Sequence, residues 1–289
     1  MIAVIKNPGA GGVENDTSGD LKKGFADAGV AFKLIENEDP VAASREAIDS
    51  GYSHLCACGG DGTVAGVVNA IMRSEKRDLR LSIIPLGTGN IIATALELPS
   101  DLTEAAALIA ADKTREVDVG KIGDEYFVLG LGIGATERFV TQTSDEAKSK
   151  LGRIAYLLAL VRHTSSPTHS LRMTSDGKKQ TSMRFEAITL ANFWGTEKRE
   201  MLEDTAPDDG VMECVVNEKL TKWAMVRLAW RGLRGDLAND EDVTVFRGKR
   251  FTIETEPALP VQLDGNVTGI RTPIDVEVLT KALIVTAPK

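Results

Sequence analysis

Apolar positions in the first third of the chain switch repeatedly between short continuous runs and helically spaced sets. Ile2–Lys6 reads as an apolar strand broken by Asn7-Pro8-Gly9. Leu21–Ala28 predicts a helix stopped by Gly29, and Val30–Ile35 predicts the next strand. Pro40 stands at the favoured first-turn position of a helix that Gly51 closes. His54–Cys58 predicts a strand. Beyond a glycine-rich loop, Val64, Val67, Val68 and Ile71 recur at i, i+3, i+4 and i+7, the spacing of one helical face. Leu81–Leu86 is a further apolar strand, and a short helix follows it to Leu96. Strands alternating with helices imply a parallel sheet covered by helices, a Rossmann-like α/β domain.

The period changes near Arg115. Short strand-like runs then dominate: Tyr126–Leu131, Leu171–Thr174, Met183–Leu190, Val211–Val216, Val243–Phe246, Phe251–Glu254, Val261–Leu263 and Ile274–Leu279. Two helical segments interrupt them, Leu151–Arg162 and Lys222–Leu233. This half predicts an antiparallel β-sandwich. The expected division is residues 1–118, with a C-terminal strand over 280–289, against 119–279. The change of period sets it, since no Pro- or Ser-rich hinge marks the boundary.

Composition narrows the picture only a little. A chain of 289 residues is long enough for two modest domains, and 43% hydrophobic with 26% charged residues suits a buried core. The net charge of −8 argues against a broad nucleic-acid surface. Cys56, Cys58 and Cys214 are too few for a disulfide framework and read as buried thiols. No stretch approaches the roughly 20 apolar residues of a membrane span. The start shows neither a basic n-region nor a long apolar h-region, so the expected location is the cytoplasm, with peripheral attachment at the inner membrane face.

Candidate chemistry lies in the loops. In Gly59-Gly60-Asp61-Gly62-Thr63, glycines let backbone N–H groups approach an anion with no Cβ in the way. The helix that follows points its positive end at the same place. Thr63 could cap that helix or bond a phosphate oxygen. Asp61 repels a phosphate directly but becomes sensible if Mg²⁺ bridges the two. Gly87-Thr88-Gly89-Asn90 repeats the design one strand later, and Asn7-Pro8-Gly9-Ala10-Gly11-Gly12 does so after the first strand. Three such turns at strand C-termini would converge on one sheet edge, where open parallel sheets bind ligands. Gly130-Leu131-Gly132-Ile133-Gly134, by contrast, lacks the glycine spacing and following helix of a dinucleotide loop and reads as a closely packed strand.

These motifs, with Asn69 and Pro85–Asn90, resemble the diacylglycerol kinase catalytic-domain family of bacterial lipid kinases and sphingosine kinases. Leu151-Gly152-Arg153-Ile154-Ala155-Tyr156, Ala206-Pro207-Asp208-Asp209-Gly210 and Asp264-Gly265 extend the resemblance along the chain. It implies an ATP-binding α/β domain, a β-sandwich domain, a cleft between them where a lipid hydroxyl is phosphorylated, and last strands, here Leu283–Thr286, that return to the first domain. The residues it implies for the nucleotide are Asn7, Pro8, Gly9, Ala10, Gly11, Gly59, Gly60, Asp61, Gly62, Thr63, Gly87, Thr88 and Asn90. For a structural Mg²⁺ it implies Asp209 with the carbonyls of Ala206 and Val211, although Asp208-Asp209-Gly210 alone reads as a β-turn.

The chain also departs from the family's pattern. Gly66 stands where many relatives have glutamate, Ile91 where an aspartate is usual, and Trp194-Gly195-Thr196-Glu197 where a glycine triplet is found. Asn266 replaces the glutamate often assigned as proton acceptor, which leaves Asp264 as candidate base and Asp61 as the metal-side carboxylate.

In Lys222–Leu233, Trp223, Val226, Trp230 and Leu233 recur at helical spacing while Arg227, Arg231 and Arg234 share another face. The ordinary reading is a helix packed on the sandwich by its apolar stripe; the other is a basic-aromatic helix lying in a bilayer interface. Asp240-Glu241-Asp242 reads as a solvated turn, and His54, His163 and His169 have no metal or triad spacing.

The leading expectation is an ATP- and Mg²⁺-dependent kinase acting on diacylglycerol, a sphingoid lipid or a related amphiphile at a membrane surface. No stable protein partner is expected beyond a homodimer. A catalytically impaired nucleotide- and lipid-binding protein is the second reading. An NAD kinase, which shares the Gly-Gly-Asp-Gly-Thr loop, is the third.

Overall fold

The computed structural model describes residues 1–8, 17–87, 89–135, 167–178, 181–192, 195–196 and 199–288. The chain divides into two compact units, Met1–Val117 with Lys281–Lys289, and Asp118–Thr280.

The first unit runs β1 (Ile2–Lys6), α1 (Thr17–Asp27), β2 (Phe32–Glu36), α2 (Pro40–Asp49), β3 (His54–Gly59), α3 (Asp61–Met72), β4 (Arg80–Pro85), α4 (Ile91–Ala95) and α5 (Leu102–Ala110). The strands are parallel in the order β2-β1-β3-β4, and Ile284 and Val285 lie parallel beside Arg80 and Leu81. This is the parallel α/β sheet the alternating pattern predicts. All five residues of β1 and all but the first of β3 and β4 are buried, as expected of strands covered on both faces. Ile2, Val4, Cys56, Cys58 and Ile84 pack with Leu21 and Phe25 of α1 and Ala105, Ala106 and Ile109 of α5. Burial pushes the Cys58 thiol up to about 12, so it stays protonated and inert.

Helix starts in this unit are built locally. Asp39 accepts from the amides of Val41 and Ala42, and Asp101 from those of Thr103 and Glu104. Helix α5 escapes the periodicity because its Leu/Ala run is apolar nearly all round. A side chain at Gly66 would run into the Pro40 ring, so the close packing of α2 on α3 favours glycine there.

The second unit begins within β5 (Thr114–Ile122), which straddles the division. It continues with β6 (Glu125–Phe127), β7 (Gly130–Gly134), β8 (His169–Ser175), β9 (Thr181–Phe185), β10 (Ala187–Ala191), the two-residue strands β11 (Gly195–Thr196) and β12 (Arg199–Glu200), and β13 (Met212–Asn217). Helix α6 (Lys222–Gly232) precedes β14 (Val243–Gly248), β15 (Arg250–Glu256), β16 (Pro260–Leu263), β17 (Asn266–Arg271) and β18 (Ile274–Thr286). One antiparallel sheet is ordered β14-β13-β10-β7-β16-β17. In the other, the first residues of β18 pair with β15, then β8, then β9. Leu131, Ile133, Leu190, Met212, Cys214 and Val261 of the first share one core with Leu171, Met173, Phe185, Phe251, Ile253 and Val276 of the second. The expected antiparallel β-sandwich is therefore present.

Two details differ from the sequence pattern and one agrees with it. The single run Met183–Leu190 is two strands in different sheets, parted at Glu186, whose carboxylate accepts from the Leu220 amide. Gly130–Gly134 is an interior strand, as expected; a side chain at Gly130 would collide with the Leu190 carbonyl of β10. The apolar stripe of α6 does not pack. Ala224, Met225 and Gly232 form the buried face, while Trp223 (81% exposed), Val226, Trp230 and Leu233 face solvent. The predicted helix Leu151–Arg162 lies outside the described residues.

Candidate functional site

The ends of β1, β3 and β4 lie side by side, because Lys6 stands opposite Cys58 and Gly59 opposite Pro85. With β2 on the far side of β1, the strand order reverses between β1 and β3, which is where an open parallel sheet leaves a crevice beyond its C-terminal edge. The turns carrying Asn7 and Gly60 flank that crevice.

Gly60 is the N-cap of α3, in an extended conformation, and no side chain caps the helix. Its carbonyl accepts from Thr63 and Val64. The first turn of α3 thus presents its backbone amides, at the positive end of the helix dipole, without a side-chain acceptor from the cap. Thr63 is too far into the helix to cap it. Its side chain is buried against Gly59, where any Cβ would collide with Oγ1.

Gly60 and Gly87 meet backbone to backbone, and a Cβ on Gly87 would overlap the Gly60 Cα. Asn90, in the left-handed region at φ 47°, folds over the second turn: Oδ1 accepts from the Gly87 amide at 2.9 Å and Nδ2 donates to the Gly87 carbonyl at 2.7 Å. Asp61 ties the two turns together through Oδ1, which accepts from the Ile92 amide at 3.0 Å. Its other oxygen lies against Gly89, where a Cβ would come within 3.0 Å. Gly59, Gly60, Asp61, Gly62, Thr63, Gly87 and Asn90 therefore form one cluster, in which Thr63 and Asn90 shape the turns. Asn7 donates to the Glu38 carbonyl at 3.3 Å and Pro8 is exposed beside it. Gly9, Ala10, Gly11 and Thr88 lie outside the described residues.

Lys6 was not singled out by the sequence, although it closes an otherwise apolar buried strand. Lys6 is 7% exposed, and its ammonium donates to Ser18 Oγ at 2.6 Å and Glu36 Oε1 at 3.0 Å. That places a neutralised cation at the base of the same edge. His54 lies away from this edge, at the start of β3; its Nε2 is 2.6 Å from Ser82 Oγ, which is 2.8 Å from Thr286 Oγ1. Burial holds its imidazole down to about 4, so it is neutral near pH 7.

In the second unit, Leu263 pairs with Asn266, which makes Asp264-Gly265 a two-residue hairpin turn with φ of 47° and 78°. The buried Asp264 carboxylate reaches back to the segment before β7. Oδ2 accepts from the Val128 amide at 2.8 Å, and Oδ1 from Leu129 at 2.8 Å and Gly130 at 3.0 Å. Three backbone donors occupy the oxygens that a general base would use. Asn266 donates to the Asp264 carbonyl at 3.3 Å.

The loop before β13 is closed in a related way. Asp209 accepts from the amides of Ala206 at 3.2 Å and Val211 at 2.9 Å, so the N–H groups of those residues face its carboxylate. Asp118, also passed over by the sequence reading, is fully buried and accepts from the Gly210 amide at 2.6 Å. Among the described residues no three His, Cys, Asp or Glu side chains are grouped to hold a metal ion.

The family model of the diacylglycerol kinase catalytic domain matches residues 1–122, and that of the YegS C-terminal NAD kinase beta sandwich-like domain matches residues 130–287. A diacylglycerol kinase of Bacillus subtilis (strain 168) is 28% identical over 236 residues, covering 80% of this chain and 77% of that protein. The crystal structure of a diacylglycerol kinase from Bacillus anthracis str. Sterne aligns over 100% of this chain and 97% of its own, at a TM-score of 0.77 and 26% identity. An NAD kinase from Archaeoglobus fulgidus, solved in complex with ATP, aligns over 99% of this chain and 93% of its own, at a TM-score of 0.55 and 11% identity; the likeness is one of fold.

Proposed function

The chain belongs to the diacylglycerol kinase family, and from that premise we propose that it is an ATP-dependent lipid kinase. The γ-phosphate would pass to a hydroxyl of diacylglycerol, a sphingoid lipid or a related amphiphile. One observation carries the reading: an α3 N-terminus without a side-chain cap opens beside the Gly60–Gly87 contact, at the crevice between β1 and β3.

The residues fit a nucleotide's phosphates. The cluster offers backbone amides, side-chain-free glycines and a helix dipole, the features that bind phosphate elsewhere. Bound ATP supplies the phosphoryl group and Mg²⁺ neutralises part of its charge. The amides at the start of α3 would hold phosphate oxygens, with Asn7 and Pro8 on the other side of the crevice. Asp61, with Oδ1 committed to Ile92, keeps Oδ2 for a cation. A single carboxylate oxygen beside a phosphate cradle fits Mg²⁺, which usually relies on phosphates and waters rather than a protein cage. At the second site, Asp209 with the carbonyls of Ala206 and Val211 offers hard oxygens, but the carboxylate already accepts two amides.

Asp264 acts in this scheme as a positioning residue that fixes the strand-entry backbone of residues 128–130. Phosphoryl transfer depends mainly on positioning and charge neutralisation, so a dedicated base is not required. The engaged Asp264 carboxylate and the neighbouring amide of Asn266 favour one second reading, a protein that binds nucleotide and lipid without turnover. Incubation of the purified protein with labelled ATP, Mg²⁺ and a lipid panel, followed by mass analysis, separates the two. A phosphorylated lipid is expected; tight nucleotide binding with no product would favour the second reading, and phosphorylated NAD in a parallel reaction would reject both.

A further inference from the structure

We infer that the outer face of α6 is a docking surface for an anionic bilayer, an inference that builds on the lipid-kinase reading. The helix carries two apolar arcs. Ala224, Met225 and Gly232 fill the inner one, with Leu228 packed partly beneath, against Leu220, Val215 and Leu237. The outer arc is Trp223 (81% exposed), Val226 (53%), Trp230 (55%) and Leu233 (61%). At helical spacing these four large apolar side chains share one face of α6, which is grouped rather than scattered exposure.

The polar border explains how the helix is held without packing that arc. Arg227 Nε lies 2.6 Å from Asp240 Oδ2, its other nitrogens reach Glu241 and Asp242, and Arg231 pairs with Asp236 at 2.5 Å. Asp240 is buried, and its hydrogen bond from Arg227 holds its carboxyl below the usual range. These arginines thus anchor the helix to the protein and are not available to headgroups.

The charges left on the outer side point to the occupant. At a helical repeat of about 100° per residue, Lys222 and Arg234 border the outer arc on opposite sides. Both are exposed, and neither pairs with an acid among the described residues. Arg234 lies over the Trp230 ring, 3.5 Å from its centroid. Tryptophans between cations match the headgroup zone, where the ring sits among glycerol groups and the cations meet phosphates. No helix among the described residues is long and apolar enough to cross a membrane, so surface docking would bring the chain to a membrane-borne acceptor.

The test uses the full chain and vesicles of phosphatidylcholine alone or mixed equally with phosphatidylglycerol, read by co-sedimentation and by quenching of tryptophan with brominated lipid. Trp223→Ala/Trp230→Ala should lower binding to mixed vesicles about tenfold or more with unchanged thermal unfolding, since both side chains are exposed. Lys222→Gln/Arg234→Gln should lose only the preference for anionic vesicles. Wild-type-like vesicle binding by the tryptophan variant would overturn the inference. So would self-association of the wild type that the variant abolishes without any vesicle binding, which would give the face to a second copy. Turnover of a short-chain diacylglycerol dissolved as monomer keeps the two ideas apart. Docking stands if the variant loses vesicles while the wild type phosphorylates no lipid; docking falls, and the kinase reading stands, if turnover is normal and wild-type binding does not depend on α6.

Discussion

Asp61-Gly62 after β3 and Asp264-Gly265 between β16 and β17 are the same dipeptide at the end of a strand, and they use it in opposite ways. At Asp264 the carboxylate turns back on the chain and takes three amide hydrogens, so the turn is closed upon itself. At Asp61 only one oxygen is committed, to Ile92, and the start of α3 has no side-chain cap. A buried amide must find an acceptor. Where the chain supplies it, the turn is structural; where it does not, the amides face outward and a ligand can supply it. The Asp209 loop sides with Asp264, since its carboxylate accepts from two amides of its own loop.

The sharpest way to break this contrast is Asp61→Asn, which keeps an acceptor for Ile92 but removes the charge. Phosphoryl transfer should fall about 10²- to 10³-fold, as for loss of one preorganised electrostatic contact, with thermal unfolding nearly unchanged. Normal turnover in steady-state assays would make Asp61 as structural as Asp264. Next in size is Asp264→Ala, which strands three amides and should cost about 3 kcal/mol or more in urea unfolding. An Asp264→Asn variant with wild-type stability and no turnover would restore Asp264 as the base.

A buried carboxylate without such amides provides the third test. Glu213 is 1% exposed, with Arg247 Nε 3.1 Å away, and burial pushes its carboxyl up to about 7 against that opposing charge. The folded chain therefore holds a proton that the unfolded chain releases above about pH 4.5. Stability from this group is present below that value and lost as pH rises to about 7, by about 3 kcal/mol in all. Glu213→Gln should flatten that slope in unfolding measured from pH 4 to 8, on the order of the window just given. The smallest effect is expected from Asn90→Gly, which tolerates the left-handed backbone and loses the clamp on Gly87. About 1 kcal/mol of stability and a several-fold loss of nucleotide affinity, read by calorimetry, should result.

What the sequence made legible was local. Strands β1, β3 and β4 and helices α2 and α3 are announced by their period and by Pro40, Gly51 and the glycine turns, each acting within a few residues of its own position. Glutamate 186 gave little warning that one apolar run serves two sheets, because a single polar residue also fits a continuous strand. Helix α6 was recognisable as amphipathic, but which arc is buried depends on Arg227 finding Asp240, a pairing that spacing within the helix does not encode. Likewise the role of Asp264 is set by amides more than 130 positions earlier, as the separation of 136 between Val128 and Asp264 shows. Gly87 looked like a ligand-facing glycine; that it must also admit Gly60 follows only from the packed turns.

The contact between Ser82 and Thr286 joins positions 204 residues apart, and it carries a consequence for biosynthesis. At about 5–20 residues per second, a ribosome needs roughly 10–40 s to traverse that interval. Throughout it, the flank of β4 is a bare template for any nascent strand, and the N-terminal sheet stays unfinished while the whole sandwich is being made. The edge of β4 gains its last neighbour only when Ile284 and Val285 have been made, so the first sheet is completed by the end of the chain.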